Sequence, residues 1–232
     1  MRITALSVKG LIKDQCEDTI FIGNTIISDD SYVYEGDFPE VLGVADGVGG
    51  NPGGQKASRF ISKLFSEVSL KGDEKEVKAN LENVNRSLIN YAAGLPGEER
   101  MASTLTAMYH GKQGYYVAHV GNTRLYVAQG RYLKQFTNDH TSNQIASNMI
   151  YGCFGGADEN LLLPLEISLI SPDDLPQKCI LTSDGIHDHL DVDRLEELLN
   201  SDADDLAVMR DICDEAKKNG SKDDMSIIMM QQ

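Results

Sequence analysis

The sequence predicts an α+β fold: one domain of many short antiparallel strands with an early and a late pair of helices. Three observations carry this. From Ala102 onward the chain breaks into runs rich in β-branched and aromatic residues, 103–110, 114–120, 124–128 and 131–136. They are divided by Gly111-Lys-Gln-Gly114, Gly121-Asn-Thr123 and Gln129-Gly130, the pattern of an antiparallel meander. Residues 55–68 and 74–93 instead repeat apolar side chains at helical spacing. No linker, repeat or low-complexity segment interrupts the 232 residues, a length that one domain can occupy.

Taken in order, residues 2–8 and 19–27 read as paired strands, with the polar segment Lys13-Asp-Gln-Cys-Glu-Asp18 between them. Residues 28–38 read as loop, and 41–45 as a buried strand. The helical stripes are Ala57, Phe60, Ile61, Leu64, Phe65 and Val68, then Val77, Leu81, Val84, Leu88 and Tyr91, both core-facing. After the meander, 161–170 and 178–182 read as strands. Residues 193–200 and 204–218 read as amphipathic helices, closed by Asn219-Gly220, and 225–230 as a last strand.

Composition narrows the function. The chain carries 36 acidic against 21 basic residues, a net charge of −15. Such a surface is repelled by nucleic acid and by anionic membranes, so neither is expected as a partner. No apolar run approaches the ~18 residues that span a bilayer. Residues 1–10 alternate like a strand and lack the apolar core of a signal peptide, so a cytoplasmic location is expected. The four cysteines are far apart, without CxxC or zinc spacing. Cys179 and Cys213 fall in apolar runs and read as small core residues in a reduced protein.

The chemistry begins at Asp46. The apolar run 41–45 ends on it, and five glycines follow within residues 47–54. A carboxylate at the end of a core strand, beside backbone that takes any conformation, can present itself to a metal or a phosphate. Three further acidic stations share that context: Glu17-Asp18 before a strand, Asp184 after one, and Asp223-Asp224 before the last. If these strands share a core, their carboxylates converge at one end of it. Converging carboxylates repel one another and call for cations. All-oxygen ligation points to Mg²⁺ or Mn²⁺. Two such ions about 3.5–4 Å apart can share a water and hold a phosphoryl oxygen, as in phosphatases and nucleases. The net charge disfavours a nuclease.

The motifs resemble, in order and nearly end to end, those of the PPM (type 2C) family of metal-dependent Ser/Thr protein phosphatases, in a compact bacterial form. Glu17-Asp18 resembles the family's Glu-Asp, and Val44-Ala-Asp-Gly-Val-Gly-Gly50 its Asp-Gly-x-Gly-Gly. Ala102-Ser-Thr104 is similar to Gly-Ser/Thr-Thr, and His119-Val-Gly-Asn-Thr-Arg124 to Val-Gly-Asp-Ser-Arg. Thr137-Asn-Asp-His-Thr141, Leu181-Thr-Ser-Asp-Gly185 and Lys222-Asp-Asp-Met-Ser226 resemble Thr-x-Asp-His, Ser-Asp-Gly and Asp-Asn-x-Thr. The resemblance implies a four-layer α-β-β-α sandwich with two metals between the sheets at one edge. It implies that Asp46 bridges both ions, that the Gly47 carbonyl binds one, and that Asp184 and Asp223 complete the other's shell. Glu17 and Asp18 would act mainly through water. A water or hydroxide bridging the ions would attack phosphorus in line, with no covalent enzyme intermediate. Asp224 reads as a neighbour, because the family has Asn there. Phosphoproteins made by a Ser/Thr kinase are the expected substrates, and a monomer is expected.

The chain departs from the family at four places. Lys13 stands where the family usually has the Arg that grips substrate phosphate, and gives up the bidentate fork. Asn122 replaces an Asp that helps hold a third metal, so a third ion is not expected. Val48 stands where eukaryotic members have a His proposed as general acid. The segment 141–156 is short for the family's mobile flap, which leaves the cleft open and substrate selection to other surfaces. His187 and His189 are expected at the surface, and His119 and His140 in structural roles. The rival reading is a PPM-fold phosphoprotein-binding regulator with little turnover; a third is a phosphatase of small phosphoesters.

Overall fold

A computed structural model describes residues 1–50, 52–68, 70, 72, 74–142, 149–156 and 163–232. The chain opens with β1 (Arg2–Val8), β2 (Asp18–Ile22), β3 (Thr25–Ile27), β4 (Ser31–Glu35) and β5 (Val41–Asp46). Helices α1 (Gly54–Glu67) and α2 (Glu74–Ala93) follow. Then come β6 (Ala102–Ser103), β7 (Leu105–His110), β8 (Tyr115–Val120), β9 (Arg124–Gln129) and β10 (Tyr132–Gln135). Three two-residue strands, β11 (Thr141–Ser142), β12 (Met149–Ile150) and β13 (Phe154–Gly155), precede β14 (Glu166–Ile170) and β15 (Lys178–Thr182). The chain closes with α3 (Asp184–His187), α4 (Val192–Leu199), α5 (Asp205–Lys218) and β16 (Met225–Gln231).

Two six-stranded antiparallel sheets form the body, in the orders β10-β9-β15-β16-β1-β4 and β14-β8-β7-β5-β2-β3. Their central strands are buried on both faces, and the period of two sorts the apolar residues of those strands into three layers. In β16, Ile228 and Met230 lie between the sheets with Ile3, Leu42 and Val44. Its other face, Met225, Ile227 and Met229, lies under α4 and α5 with Leu195, Met209 and Ile212. In β5, Val41 and Ala45 face α1 and α2, against Ile61, Phe65 and Leu81. Helices therefore cover the outer face of each sheet, which is the expected four-layer sandwich. The later helices start on side-chain caps: Asp191 accepts from Arg194 N and Asp204 from Leu206 N. Among the described residues no helix is long and apolar enough to cross a membrane.

Three local expectations are corrected. β1 does not pair with residues 19–27; it lies between β16 and β4, while β2 lies between β5 and β3 in the other sheet. Residues 28–38 are not all loop, because β4 forms the edge of the first sheet. Its polar, half-exposed sequence hides it, as an edge strand needs only one partner. The expected meander is split: β7 and β8 pair in one sheet, β9 and β10 in the other. The chain changes sheets at Gly121-Asn-Thr123, where Gly121 has φ +113°. Turn signals mark where a strand stops, not which sheet receives the next one. Of the expected flap at 141–156, residues 143–148 lie outside the described residues; Thr141 pairs with Ile150 beside that stretch. Of the strand expected at 161–170, residues 161 and 162 likewise lie outside, and β14 begins at Glu166.

The registers bring the acidic stations to one end. Asp18 stands opposite Asp46 where β2 starts and β5 stops. Val8 pairs with Met225 and Thr182 with Ile227, so the segments after β1, after β15 and before β16 meet there too.

Candidate active site

The loop between β1 and β2 is held by one side chain. The Asp224 carboxylate accepts from Gly10 N at 2.7 Å through Oδ1 and from Glu17 N at 2.7 Å through Oδ2. Asp224 is buried, so both oxygens are used on backbone. It is the expected neighbour of the site, and its task is to clamp both ends of this loop.

Between the sheets, Asp18 is 1% exposed. Its Oδ2 accepts from Ser183 Oγ at 2.7 Å, and Ser183 Oγ accepts in turn from Ser226 N at 2.8 Å. That chain of bonds sews β2 of one sheet to the ends of β15 and β16 in the other. Asp18 Oδ1 is buried with no hydrogen-bond partner. Burial and the nearby Asp224 charge push the Asp18 carboxyl up to about 7. Asp46 is also held well above its usual range, by burial and by the charges of Asp18, Asp184 and Asp223. Asp184 is pushed up to about 6 by burial, against the lowering effect of a hydrogen bond from Asn122 Nδ2 at 2.9 Å. The Asp18 and Asp184 charges are near enough to Asp46 to raise its carboxyl, so the three groups form one electrostatic cluster.

The backbone around Asp46 is fixed from the neighbouring strand: Thr104 N donates to Asp46 O at 2.8 Å, and Asp46 N to Thr104 Oγ1 at 3.1 Å. The glycine loop folds back so tightly that a Cβ on Gly47 would come within 2.4 Å of the Gly54 backbone, and one on Gly54 within 2.8 Å of Glu17 Oε1. Glycine is required here for close approach, which brings the loop against Glu17.

Lys13 lies at the rim. Its Nζ pairs with Glu17 Oε2 and, at 3.1 Å, with Asp223 Oδ1. Burial works to lower its pKa but is outweighed by the Glu17 hydrogen bond and the Asp223 charge, so the ammonium is held firmly protonated. Asp223 has half its side chain in solvent. Asp18 is thus buried, Asp46 and Asp184 are partly buried beside it, and Asp223, Glu17 and Lys13 border them.

The donor set fits a hard divalent cation. Two carboxylates opposite each other on adjacent strands destabilise the pairing, and like charges at 4 Å repel by about 4 kcal/mol at an effective dielectric of about 20. Cations or protons have to offset that. The donors are all oxygen, and one buried Asp18 oxygen is left without a partner. No three His, Cys, Asp or Glu side chains among the described residues close into a ready cage.

The histidines divide differently from expectation. His187 is buried, not at the surface, because α3 turns its ring inward onto β15, where Thr182 Oγ1 meets Nδ1 at 2.9 Å. Burial, assisted by the Arg124 charge, holds it well below its usual range. His189 is half-buried. His119 and His140 are structural, as expected. His119 Nε2 donates to Asn138 O at 2.9 Å, and Nδ1 lies 2.8 Å from Thr106 Oγ1, a hydroxyl that also donates to Thr123 O at 2.7 Å. Burial pushes its pKa down to about 4. Asn122 has a task that its sequence position did not show: it orients Asp184, while its own Oδ1 is buried without a partner. Ser183 likewise became functional only through Asp18, 165 residues away.

Comparison with known proteins agrees with this geometry. Residues 22–226 match the family model described as Protein phosphatase 2C. The chain is 24% identical over 229 residues to the serine/threonine phosphatase stp of Listeria monocytogenes serovar 1/2a, covering 88% of this chain and 89% of that one. It is 25% identical over 145 residues to the serine/threonine protein phosphatase PstP of Mycobacterium tuberculosis, covering 61% of this chain and 25% of that protein. Among solved structures, serine/threonine phosphatase Stp1 from Staphylococcus aureus superposes with a TM-score of 0.78 at 20% identity, over 99% of this chain and 94% of that one. The Mycobacterium tuberculosis serine/threonine phosphatase PstP/Ppp gives 0.77 at 19% identity, over 99% and 98%.

Proposed function

The chain belongs to the protein phosphatase 2C family, and on that footing we propose that it hydrolyses phosphoserine and phosphothreonine in proteins with the help of two divalent cations, Mn²⁺ or Mg²⁺. The observation that carries this is the gathering of Asp18, Asp46, Asp184 and Asp223, from four separate segments, at one end of the sandwich.

Asp46, Asp184, Asp223 and the Gly47 carbonyl would hold the ions, with Glu17 and Asp18 assisting mainly through water. When bound, the cations supply an acidified water and positive charge for the phosphoryl oxygens. Asn122 Nδ2 keeps Asp184 oriented, and Ser183 keeps Asp18 turned toward the site. Lys13 would offer its ammonium to the substrate phosphate from its place beside Glu17 and Asp223. Val48 brings no titratable group, so the leaving hydroxyl takes its proton from water. The asymmetry that drives turnover is electrostatic: negative charge grows on oxygens that the site is built to neutralise.

The substrates would be phosphoproteins made by a Ser/Thr kinase, met by a monomeric protein in the cytoplasm. Hydrolysis of a phosphothreonine peptide with Mn²⁺, compared with Asp46→Asn, tests the reading. Turnover that survives both chelation and that substitution defeats it. A second reading, phosphoprotein binding with little turnover, is favoured by one observation: Lys13 is already engaged by two carboxylates. Calorimetric titration with Mn²⁺ separates them, because the binding-only protein has no need of a tight metal site.

A further inference from the structure

Leu11 and Ile12 are 67% and 73% exposed, and neither belongs to any of the three apolar layers. They form the corner of a turn in which Lys13 N reaches Gly10 O at 3.4 Å. Such corners normally carry Gly, Pro, Asn, Asp or Ser. Two branched aliphatic side chains there contribute nothing to the core and raise the cost of hydration.

The turn is nevertheless firmly placed. Asp224 holds the backbone at Gly10 on one side and at Glu17 on the other. Gly10 packs so closely on the segment leading into β16 that a Cβ would lie 2.4 Å from Lys222 O. Lys13, the next residue along, puts Nζ on Asp223. A Cβ on Gly49 would lie 4.0 Å from Lys13 Nζ, and one on Gly50 would meet nothing within 4 Å. The two exposed aliphatic residues thus directly precede the rim cation, in a turn clamped beside the acidic cluster.

We propose that Leu11 and Ile12 form a subsite for an apolar side chain flanking the phosphorylated residue of a peptide substrate. This rests on the phosphatase reading above. An extended peptide advances about 3.3 Å per residue. A phosphate held at Lys13 therefore sets the residues one or two positions away against the turn. Two side chains are too small a patch for a stable protein interface, which buries about 1,200 Å² or more. An anionic bilayer is no better an occupant for a chain of net charge −15.

The test compares two phosphothreonine peptides, one with leucines and isoleucines at the two positions on each side and one with serines there, using the full chain with Mn²⁺. Wild-type protein is expected to favour the apolar peptide by about tenfold in kcat/KM, the order set by a hydrophobic pocket, with the difference in KM. Leu11→Ser/Ile12→Ser is expected to reduce that ratio to near one; continued turnover of the serine peptide reports that it folds. Equal use of the two peptides by wild-type protein, or an unchanged preference in the variant, overturns the subsite while leaving the phosphatase reading in place. No turnover of either peptide by wild-type protein overturns both. A dimer in sedimentation that the double variant dissolves would assign the turn to a second copy and overturn the subsite.

Discussion

Asp18 and Asp46 face each other across adjacent antiparallel strands, and Asp18 is 1% exposed. A fold does not place two carboxylates in that register for stability, since like charges opposite one another weaken a sheet. Asp184 joins them from the other sheet, and the Ser183 hydroxyl ties that segment to Asp18. The end of the sandwich is a repulsive electrostatic cluster whose cost a bound cation would offset.

Removing one carboxylate should therefore stabilise the protein while ending its activity. Asp46→Asn is expected to raise stability in chelator by about 1 kcal/mol or more, the order of a relieved like-charge contact. Phosphopeptide turnover should be lost. A lower thermal midpoint for the variant in chelator would show that Asp46 is not under repulsion.

The same cluster sets a pH dependence. Asp18 at about 7 and Asp184 at about 6 lie above the unfolded value of about 3.9. The folded state then holds more protons than the unfolded one, so these groups lose stability as pH rises from about 4 through 7. Buried His119 and His187 have lowered values and act oppositely, losing stability as pH falls below about 6.5. Comparing Mn²⁺ with chelator at each pH cancels the histidines. The stabilisation by Mn²⁺ is expected to grow from pH 5 to pH 8, as the cation displaces protons. A Mn²⁺ effect that shrinks with rising pH would contradict this.

Asn122 donates its amide to Asp184 and makes that carboxylate easier to ionise. Asn122→Asp would exchange the donor for a second charge. The expected outcome is a lower thermal midpoint in chelator and an additional equivalent of bound Mn²⁺ by calorimetry. Unchanged stoichiometry would mean that position 122 does not control a further ion.

Lys13 is a point charge shared between Glu17 and Asp223. Lys13→Arg offers a planar fork to phosphate and is expected to lower KM for a phosphopeptide several-fold with little change in kcat. Lys13→Ala should raise KM by about tenfold, the order of one hydrogen bond to a charged group. Steady-state kinetics at saturating Mn²⁺ checks both; an Arg variant with equal or higher KM counts against a phosphate contact.

Much of this was legible in the chain itself. Strands and helices announce themselves by periodicity, because burial on one face repeats every two or 3.6 residues. Residues 41–45 and 225–230 read as core strands from their apolar runs alone, and the Asp-Gly corners at 46–47 and 184–185 marked their own strand ends. The exposed edge strand β4 left almost no such signal, and inward-turned His187 looked like a surface residue for the same reason: a single polar side chain says nothing about which way its turn faces.

By itself the sequence determined most of the elements, their order, and the four acidic stations proposed to carry the chemistry. The tertiary structure alone decided which strands share a sheet, that the chain changes sheets at Gly121, and that Asp18 meets Asp46 while Ser183 reaches back to Asp18. Periodicity is a property of neighbouring residues, each facing core or solvent. Pairing and convergence depend on contacts between residues far apart in the chain, and those arise only when the sheets pack and bury their carboxylates together.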